Sequence, residues 1–366
     1  FFATMGIASL FMPAVMGIIA DRWIPAQRLL GLCHLFAAGF ITLAATRTDY
    51  NSLYTLVLLS VMFYMPTIAL SNSVAYNALE KAGLDTVTHF PPIRVWGTVG
   101  FICAMWVVDL GKMGLSATQL YFSATLGLIL GLYSFTLPNC PINRSGGGKS
   151  IVDLLGLRAF ALFKQRKMAI FFIFSMLLGM SLQITNAFAD GYIKSFGDTG
   201  IHGAKYLGTF GVEHSTILIS LSQISETLCI LLIPFFLKRF GIKRVMLIAM
   251  FAWVLRFALL GAGNPGPGVW MFILSMIVYG VAFDFFNISG SLFVEKETSA
   301  AIRSSAQGVF MIMTNGLGAL IGSYLAGWVV NHYGWPLSWY LFAGFSLVVA
   351  IVFAVIFKYK HDPNRI

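Results

Sequence analysis

The chain has 366 residues, of which 58% are hydrophobic and only 10% are charged, and its formal net charge at pH 7 is +10. Soluble domains carry about 25% charged residues, so this composition excludes an ordinary soluble protein. The apolar runs are continuous and long enough to cross a bilayer, which predicts an all-α polytopic membrane protein and excludes a barrel of short alternating strands.

Eleven apolar runs follow one another along the chain, and most are separated by short polar connectors. They cover residues 1–20, 28–45, 52–79, 92–110, 118–137, 168–190, 214–237, 244–263, 268–294, 303–329 and 336–357. One connector is long, and we expect an N-terminal bundle over 1–137, a cytoplasmic linker over 138–167 and a C-terminal bundle over 168–366. Within the linker, residues 150–164 have the pattern of an amphipathic helix that lies on the membrane surface.

The two sides of this linker repeat one another. The first run aligns with the seventh, and the next four align in order with residues 245–262, 269–296, 309–327 and 335–354. Only the run 168–190 lacks a partner, which would precede Phe1, and the chain does not start with Met. The repeat predicts twelve helices in two pseudo-symmetric six-helix bundles, with the first helix absent from this chain. The alternative is a protein with eleven spans.

Basic residues are concentrated at one end of the predicted spans. If the linker is cytoplasmic, most of the 24 Lys and Arg residues lie on its side of the membrane, whereas the opposite side holds Arg47, Lys112, Lys194 and Lys205. This positive-inside bias predicts a cytoplasmic linker and C-terminus. It also explains the basic charge by membrane topology, so we expect no nucleic acid partner.

The sequence contains no motif for enzymatic, metal or cofactor chemistry. The four cysteines are far apart and show no C-x-x-C or Cys/His spacing, which predicts mostly buried thiols and neither disulfides nor a metal site. No phosphate-binding loop, nucleophile elbow or HExxH motif is present. We therefore expect a protein that is not an enzyme, with no catalytic residues and no cofactor.

One predicted span carries an aspartate near its middle. Asp284 lies within the apolar run 268–294, where a charged side chain costs at least about 2–3 kcal/mol. The spacing i, i+4, i+7, i+11 places four small or polar residues on one helical face: Gly280, Asp284, Asn287 and Ser291. We interpret this face as one that binds a ligand or a proton. The alternative is a seam of small residues that packs against another helix.

Two further spans carry polar pairs at the spacing i, i+3. One pair is Gln183 and Asn186, and the other is Gln223 and Glu226. Residues three apart lie on the same side of a helix. We expect the two pairs to line a shared polar cavity, and the alternative is hydrogen bonding between helices without a ligand.

Arg94, Thr98 and Phe101 follow one another at i, i+4, i+7 on one face of the run 92–110. We interpret this face as part of the same cavity, and the alternative is an interfacial arginine whose side chain extends to the membrane surface. Arg256 is expected to have a structural role near the outer interface. His34 is expected to be a buried structural histidine, with a proton relay as the alternative.

The sequence G-I-I-A-D-R, from Gly17 to Arg22, resembles the loop motif of the major facilitator superfamily. The motif departs from the family pattern at Ile24, which replaces a glycine, and in the second half, where Lys238 takes the place of the acidic residue. The resemblance implies a major facilitator fold and a gating role for Asp21 and Arg22. The alternative is a pair of interfacial charges.

Five longer blocks resemble the bacterial nucleoside–proton symporters of this superfamily. They are FPPIRVWGTVGFI (90–102), AIFFIFSMLLGMSLQITN (169–186), SQISETL (222–228), FDFFNISGSLFVEKE (283–297) and SAQGVFMIMTNGLG (305–318). The resemblance implies a permease of the bacterial inner membrane that takes up nucleosides with protons. It also implies a substrate-binding set that comprises Arg94, Thr98, Phe101, Gln183, Asn186, Gln223, Glu226, Phe283 and Asp284.

The predicted mechanism is alternating access around a site near the membrane midplane. The nucleobase would stack on Phe101 or Phe283, and Asp284, alone or together with Glu226, would bind the proton, because burial disfavours a charged carboxylate. We expect a monomer in contact with lipid whose partners are a nucleoside and a proton. The alternatives are a proton-coupled symporter of sugars or other small polar solutes, and a non-transporting membrane sensor.

Overall fold

The computed structural model describes residues 3–84, 86–114, 116–140, 157–199, 204–298 and 303–359, and within these ranges it contains helices and no strand. The α-helices longer than one turn are α1 (Ala3–Arg22), α2 (Ala26–Ala45), α3 (Tyr50–Lys81), α4 (Thr86–Leu110), α5 (Thr118–Ser134), α6 (Arg166–Ser195), α7 (Ser215–Ala262), α8 (Val269–Glu297), α9 (Arg303–Met311), α10 (Ala319–Tyr333) and α11 (Trp335–Ile356). The other described elements are a 3-10 helix (Leu157–Lys164), a single helical turn (Phe210–Glu213) and a π-helix (Ile312–Gly318).

Seven helical segments in these ranges are long and apolar enough to cross a membrane. One of them, α7, has 48 residues and contains two of the predicted runs, 214–237 and 244–263. It is interrupted at Gly241, where φ is +75° and ψ is 165°, a conformation that glycine adopts without the steric cost to other residues. The two arms of α7 therefore correspond to the two predicted spans, and the all-helical fold class is confirmed.

The first compact unit of the chain comprises Phe1–Gly100 and Gly111–Leu157. In this unit α2 packs against α3 and α5, and α1 packs against α3. Gly31 of α2 lies so close to α5 that a Cβ on it would be 2.9 Å from the carbonyl oxygen of Gly131. The Gln27 side chain also joins α2 to the segment after α5, because its Nε2 donates to Asn139 Oδ1 over 2.6 Å.

The second compact unit comprises Phe101–Leu110 and Arg158–Ile366. In this unit α7 packs along α8 and α11, and α6 packs against the π-helix and α10. Aromatic side chains fill its core, and fully buried examples are Trp253, Trp339, Phe171, Phe257 and Phe272. This packing fixes α6, α7 and α8, the helices that carry most of the predicted site.

The final part of α4 belongs to the second unit and bonds to α7 through two side chains. Trp106 Nε1 donates to Ser220 Oγ over 2.8 Å. Asp109 Oδ2 lies 2.6 Å from Nδ1 of His214, and the Asp109 side chain is only 4% exposed. These contacts pair polar groups that would otherwise be costly to bury.

The predicted amphipathic helix over 150–164 lies largely outside the described residues. Its final part, Leu157–Lys164, is a 3-10 helix. Gln165 follows it with an extended backbone (φ −85°, ψ 112°) and precedes α6. The bundle boundaries at 137 and 168 stay predictions.

Gly179 lies where α6 crosses the π-helix. A Cβ at this position would lie 2.8 Å from the Thr314 Cα, and backbone atoms cannot rotate aside as a side chain can. We expect Gly179→Ala to lower the free energy of unfolding by about 1–3 kcal/mol, measured by denaturant unfolding of the purified protein in detergent. Gly191→Ala in the same helix is the matched control, because no described atom outside the helix backbone lies within 4 Å of its Cβ position. Equal losses in the two variants would contradict the close packing.

Candidate substrate and proton site

The backbones of α7 and α8 come into contact at Gly280. A Cβ on Gly280 would lie 2.6 Å from the carbonyl carbon of Ser225, and Ser225 Oγ donates a hydrogen bond to the carbonyl of Ile277. Small residues permit such a close helix approach. Glu226 directly follows Ser225, and Asp284 lies one turn after Gly280, so this contact brings the two predicted acidic residues into one region.

Asp284 is buried with an unpaired polar atom. The residue is 3% exposed, and its Oδ2 has no hydrogen-bond partner within the described part of the chain. The half-buried Glu226 lies close enough to interact electrostatically with it. Because a low-dielectric environment disfavours two adjacent negative charges, this carboxylate pair is chemically suited to hold a proton.

The polar stripe of α8 divides into packing positions and positions available to a ligand. Gly280 packs on α7, and Ser291 is bonded to Gln307, whose Nε2 donates to the Ser291 carbonyl over 2.8 Å. Between them, Asp284 keeps an unpaired oxygen and Asn287 borders a cavity. The two ends of the stripe therefore contact neighbouring helices, as the alternative of a packing seam predicted. The two residues between them are placed where they can contact a ligand.

Tyr279 lies at the centre of the site, although it was not among the predicted site residues. Its buried ring stacks on Phe283, with centroids 5.8 Å apart and an interplanar angle of 19°. The hydroxyl lies near the Asn186 side chain and interacts electrostatically with Glu226 and Asp284. An aromatic residue does not differ enough from the apolar residues around it to be recognised as a site residue from composition. The available signal was its spacing, four residues before Phe283.

Arg256 is buried beside Tyr279, and it does not extend to the interface as its position in the sequence suggested. The residue is only 2% exposed. Its Nε donates to Thr185 Oγ1 over 3.0 Å, and its Nη1 donates to the Ser275 carbonyl over 2.6 Å. The side chain does not reach the protein surface because residues of α6 and α8 both contact it, and its structural role stays a prediction.

A narrow pocket that is partly open to the exterior borders Phe283 and Asn287. Its wall also contains Leu178, Gly179, Leu182, Trp253, Ala282, Phe286, Thr314 and Asn315. The last two belong to the π-helix, an element that is frequent at functional sites. A mostly apolar wall with a few amide and hydroxyl groups is typical of small-molecule sites. Thr314 and Asn315 were not among the predicted site residues, although adjacent polar residues in an apolar run are a visible signal.

Four other predicted residues lie on the helices that were expected to carry them. Gln183 is buried on α6, and Gln223 is half-buried on α7. On α4, Thr98 is half-buried and Phe101 is 52% exposed. That these two α4 residues share a cavity with the α6–α8 cluster stays a prediction.

The remaining predicted residues fall outside the described side chains or away from the site. The side chains of Asp21 and Arg22, at the end of α1, and of Arg94, on α4, lie outside the described part of the structure. His34 is buried in the first unit, where its ring packs edge-on against Tyr64 with centroids 6.4 Å apart. This contact is the packing role expected of His34.

Two features define the class of protein. The chain consists of apolar helices of membrane length, and these helices enclose a buried carboxylate beside aromatic rings and amide groups. This is a polytopic membrane transporter of the major facilitator fold and not an enzyme. A family model described as "Nucleoside H+ symporter" matches residues 1–362, and the chain therefore belongs to the nucleoside–proton symporter family.

Two similar proteins and a solved structure agree with this assignment. Nucleoside permease NupG of Escherichia coli (strain K12) is 51% identical over 367 residues, which cover 98% of this chain and 87% of NupG. The xanthosine permease of the same organism is 50% identical over 372 residues, which cover 100% of this chain and 88% of that protein. A crystal structure of a mutant nucleoside transporter NupG superposes with a TM-score of 0.92 at 50% identity, over 98% of this chain and 90% of that one. The predicted family and fold are confirmed.

Proposed function

We propose that the protein moves a nucleoside and a proton together across the membrane, with Asp284 as the proton site and the nucleoside bound beside it. The unpaired Oδ2 of the buried Asp284, within electrostatic reach of Glu226, is the observation that carries the assignment. Membership of the nucleoside–proton symporter family supports both co-substrates. The names of the similar nucleoside and xanthosine permeases support nucleosides as the substrate class.

The substrate side of the site combines an aromatic surface with several amide groups. We infer that the nucleobase stacks on Phe283 or Phe101, because flat rings gain from offset stacking. The ribose hydroxyls and the base edge bond to a polar set that comprises Arg94, Thr98, Gln183, Asn186, Gln223 and Glu226. The proximity of Asn186 to the Tyr279 hydroxyl, and the stack of Tyr279 on Phe283, support the α6 and α8 part of this set.

Movement of the nucleoside is coupled to movement of the proton because a charged Asp284 is costly to enclose. Alternating access of the two bundles, 1–137 and 168–366, exposes the site to each side in turn. An ionised Asp284 would be costly to enclose in a closed site. The change between the outward-open and inward-open forms is therefore favoured when both the proton and the nucleoside are bound. Asp21 and Arg22 hold the cytoplasmic ends of helices together during this cycle.

The surface of the protein supports its placement in lipid. Large apolar side chains are exposed on the long helices, for example Ile129, Leu231 and Val355, and extended apolar surface of this kind needs an apolar partner. We infer a monomer in the bacterial inner membrane, with the linker and the C-terminus cytoplasmic, as the positive-inside bias favours. The same bias accounts for the basic charge without nucleic acid.

Counterflow tests the substrate class. Proteoliposomes loaded in turn with unlabelled uridine, adenosine, guanosine or xanthosine are expected to take up labelled nucleoside transiently, because exchange through one site needs no gradient. An unlabelled sugar is expected not to compete. Exchange of a labelled sugar that nucleosides do not inhibit would overturn the proposal in favour of a sugar symporter. Saturable nucleoside binding without any exchange would overturn it in favour of a sensor.

A further inference from the structure

Arg256 is a buried cation for which the described part of the chain offers no carboxylate within 4.0 Å. A hydroxyl and a carbonyl hold it instead: Thr185 Oγ1 on α6 at 3.0 Å and the Ser275 carbonyl on α8 at 2.6 Å. Met276 Sδ lies 3.8 Å from both terminal nitrogens. Three helices therefore meet at this one side chain.

A charged arginine inside a membrane span is costly, and such residues are rare unless function retains them. Neutral hydrogen-bond partners offset only part of the cost of removing the charge from water. An apolar side chain of similar volume would join the same three helices without that cost. Packing alone therefore does not account for an arginine at position 256.

The contact that distinguishes Arg256 is the one with the Tyr279 ring. The central guanidinium carbon lies 4.6 Å from the ring centroid, and a cation near an aromatic face is attracted most strongly where both are removed from water. The same ring stacks on Phe283, and its hydroxyl lies near Asn186 and Glu226. The guanidinium thus holds a ring whose other contacts belong to the site.

We propose that Arg256 is a positioning residue for the nucleoside site and acts through Tyr279. Its planar guanidinium contacts Thr185, Ser275 and the Tyr279 ring at once, and in this way it fixes the position of that ring. Lysine would keep the charge but not the planar set of donors. The inference rests on the proposed function, because it assigns Tyr279 to the surface that meets the nucleoside.

A double-mutant cycle tests this role through exchange of labelled uridine in proteoliposomes. We expect Arg256→Met to raise the KM for uridine about tenfold and to leave the maximal exchange rate unchanged. Without the guanidinium, the Tyr279 ring is no longer held in place, and uridine binds more weakly. In a Tyr279→Ala background, the same substitution is expected to have no further effect, since residues that act as a unit are not additive. An unchanged KM, or a second tenfold rise in the Tyr279→Ala background, would overturn the inference.

Ser275→Ala is the matched control for the cycle. It removes the hydroxyl that donates to the Arg256 carbonyl over 3.1 Å but keeps the Ser275 carbonyl that holds Nη1, so the KM is expected to stay at the wild-type value. Arg256→Lys provides the test if Arg256→Met does not fold. This variant is also expected to raise the KM, and a wild-type KM would count against the role of Arg256.

Uridine exchange by the wild-type protein tests the proposed function independently of the role of Arg256. Wild-type exchange of uridine combined with an unchanged KM in the Arg256 variants would reject the positioning role alone. If the wild-type protein exchanged no nucleoside, the proposed function would be rejected and the role of Arg256 with it.

Discussion

Replacement of Asp284 by asparagine is expected to abolish accumulation of nucleoside against its gradient. Asparagine has nearly the same shape and resembles the protonated acid, but it cannot release and take up a proton. In wild-type proteoliposomes, an inward gradient of about one pH unit can drive accumulation of up to about tenfold for each proton carried. With Asp284→Asn, the internal concentration of labelled nucleoside is expected to stop at the external value.

The same variant separates coupling from folding and binding. Counterflow needs the substrate site and the conformational cycle but no net proton movement, so exchange is expected to persist in Asp284→Asn. Asp198→Asn is the matched control, because it makes the same chemical change at an exposed position, and it is expected to accumulate nucleoside like the wild type. Undiminished accumulation in Asp284→Asn would contradict the proton-site assignment.

Glu226→Gln is expected to weaken nucleoside binding about 10- to 100-fold and to leave proton coupling in place. A hydrogen bond to a charged group contributes about 1.5–3 kcal/mol, and glutamine keeps the shape of the side chain but not its charge. The expected result is a raised KM for uridine, with accumulation at saturating uridine still dependent on the pH gradient. Both quantities come from uptake measured over a range of uridine concentrations.

The Glu226 experiment also distinguishes one proton site from a shared one. If the two carboxylates share a proton, they titrate as a pair, and Glu226→Gln would abolish the dependence on the pH gradient. That result would contradict the assignment of separate roles to the two carboxylates, substrate binding to Glu226 and proton binding to Asp284. Glu213→Gln is the control, because Glu213 is an exposed carboxylate just before α7. The KM of this variant for uridine is expected to equal that of the wild type.

The positions of the helices could be predicted because each needs a continuous apolar run to cross a bilayer. The break in α7 was also predictable, since a short basic segment with a glycine separates two such runs. The π-helix Ile312–Gly318 was not predictable. Gly179 closely approaches the Thr314 backbone of this π-helix, and such a tertiary contact leaves no mark on the periodicity of either helix.

The candidate site could be predicted where a residue contrasts with its surroundings. Asp284 is conspicuous because it is an acid in an apolar run, whereas Tyr279 is one aromatic residue among many. The buried position of Arg256 depends on α6 and α8 closing over α7, so distance along the span suggested an interfacial location that the structure does not show. Pairwise contacts between helices decide such cases, and a single sequence does not encode them as a local pattern.

Proton movement driven by uridine shows whether Asp284 carries the transported proton. Proteoliposomes with equal pH on both sides receive uridine outside, and a pH-sensitive dye reports the external pH. We predict that the wild-type protein raises the external pH as uridine enters, and that Asp284→Asn admits uridine without any change in external pH. A rise in external pH in Asp284→Asn equal to that of the wild type, for the same amount of uridine taken up, would contradict the assignment of Asp284 as the proton site.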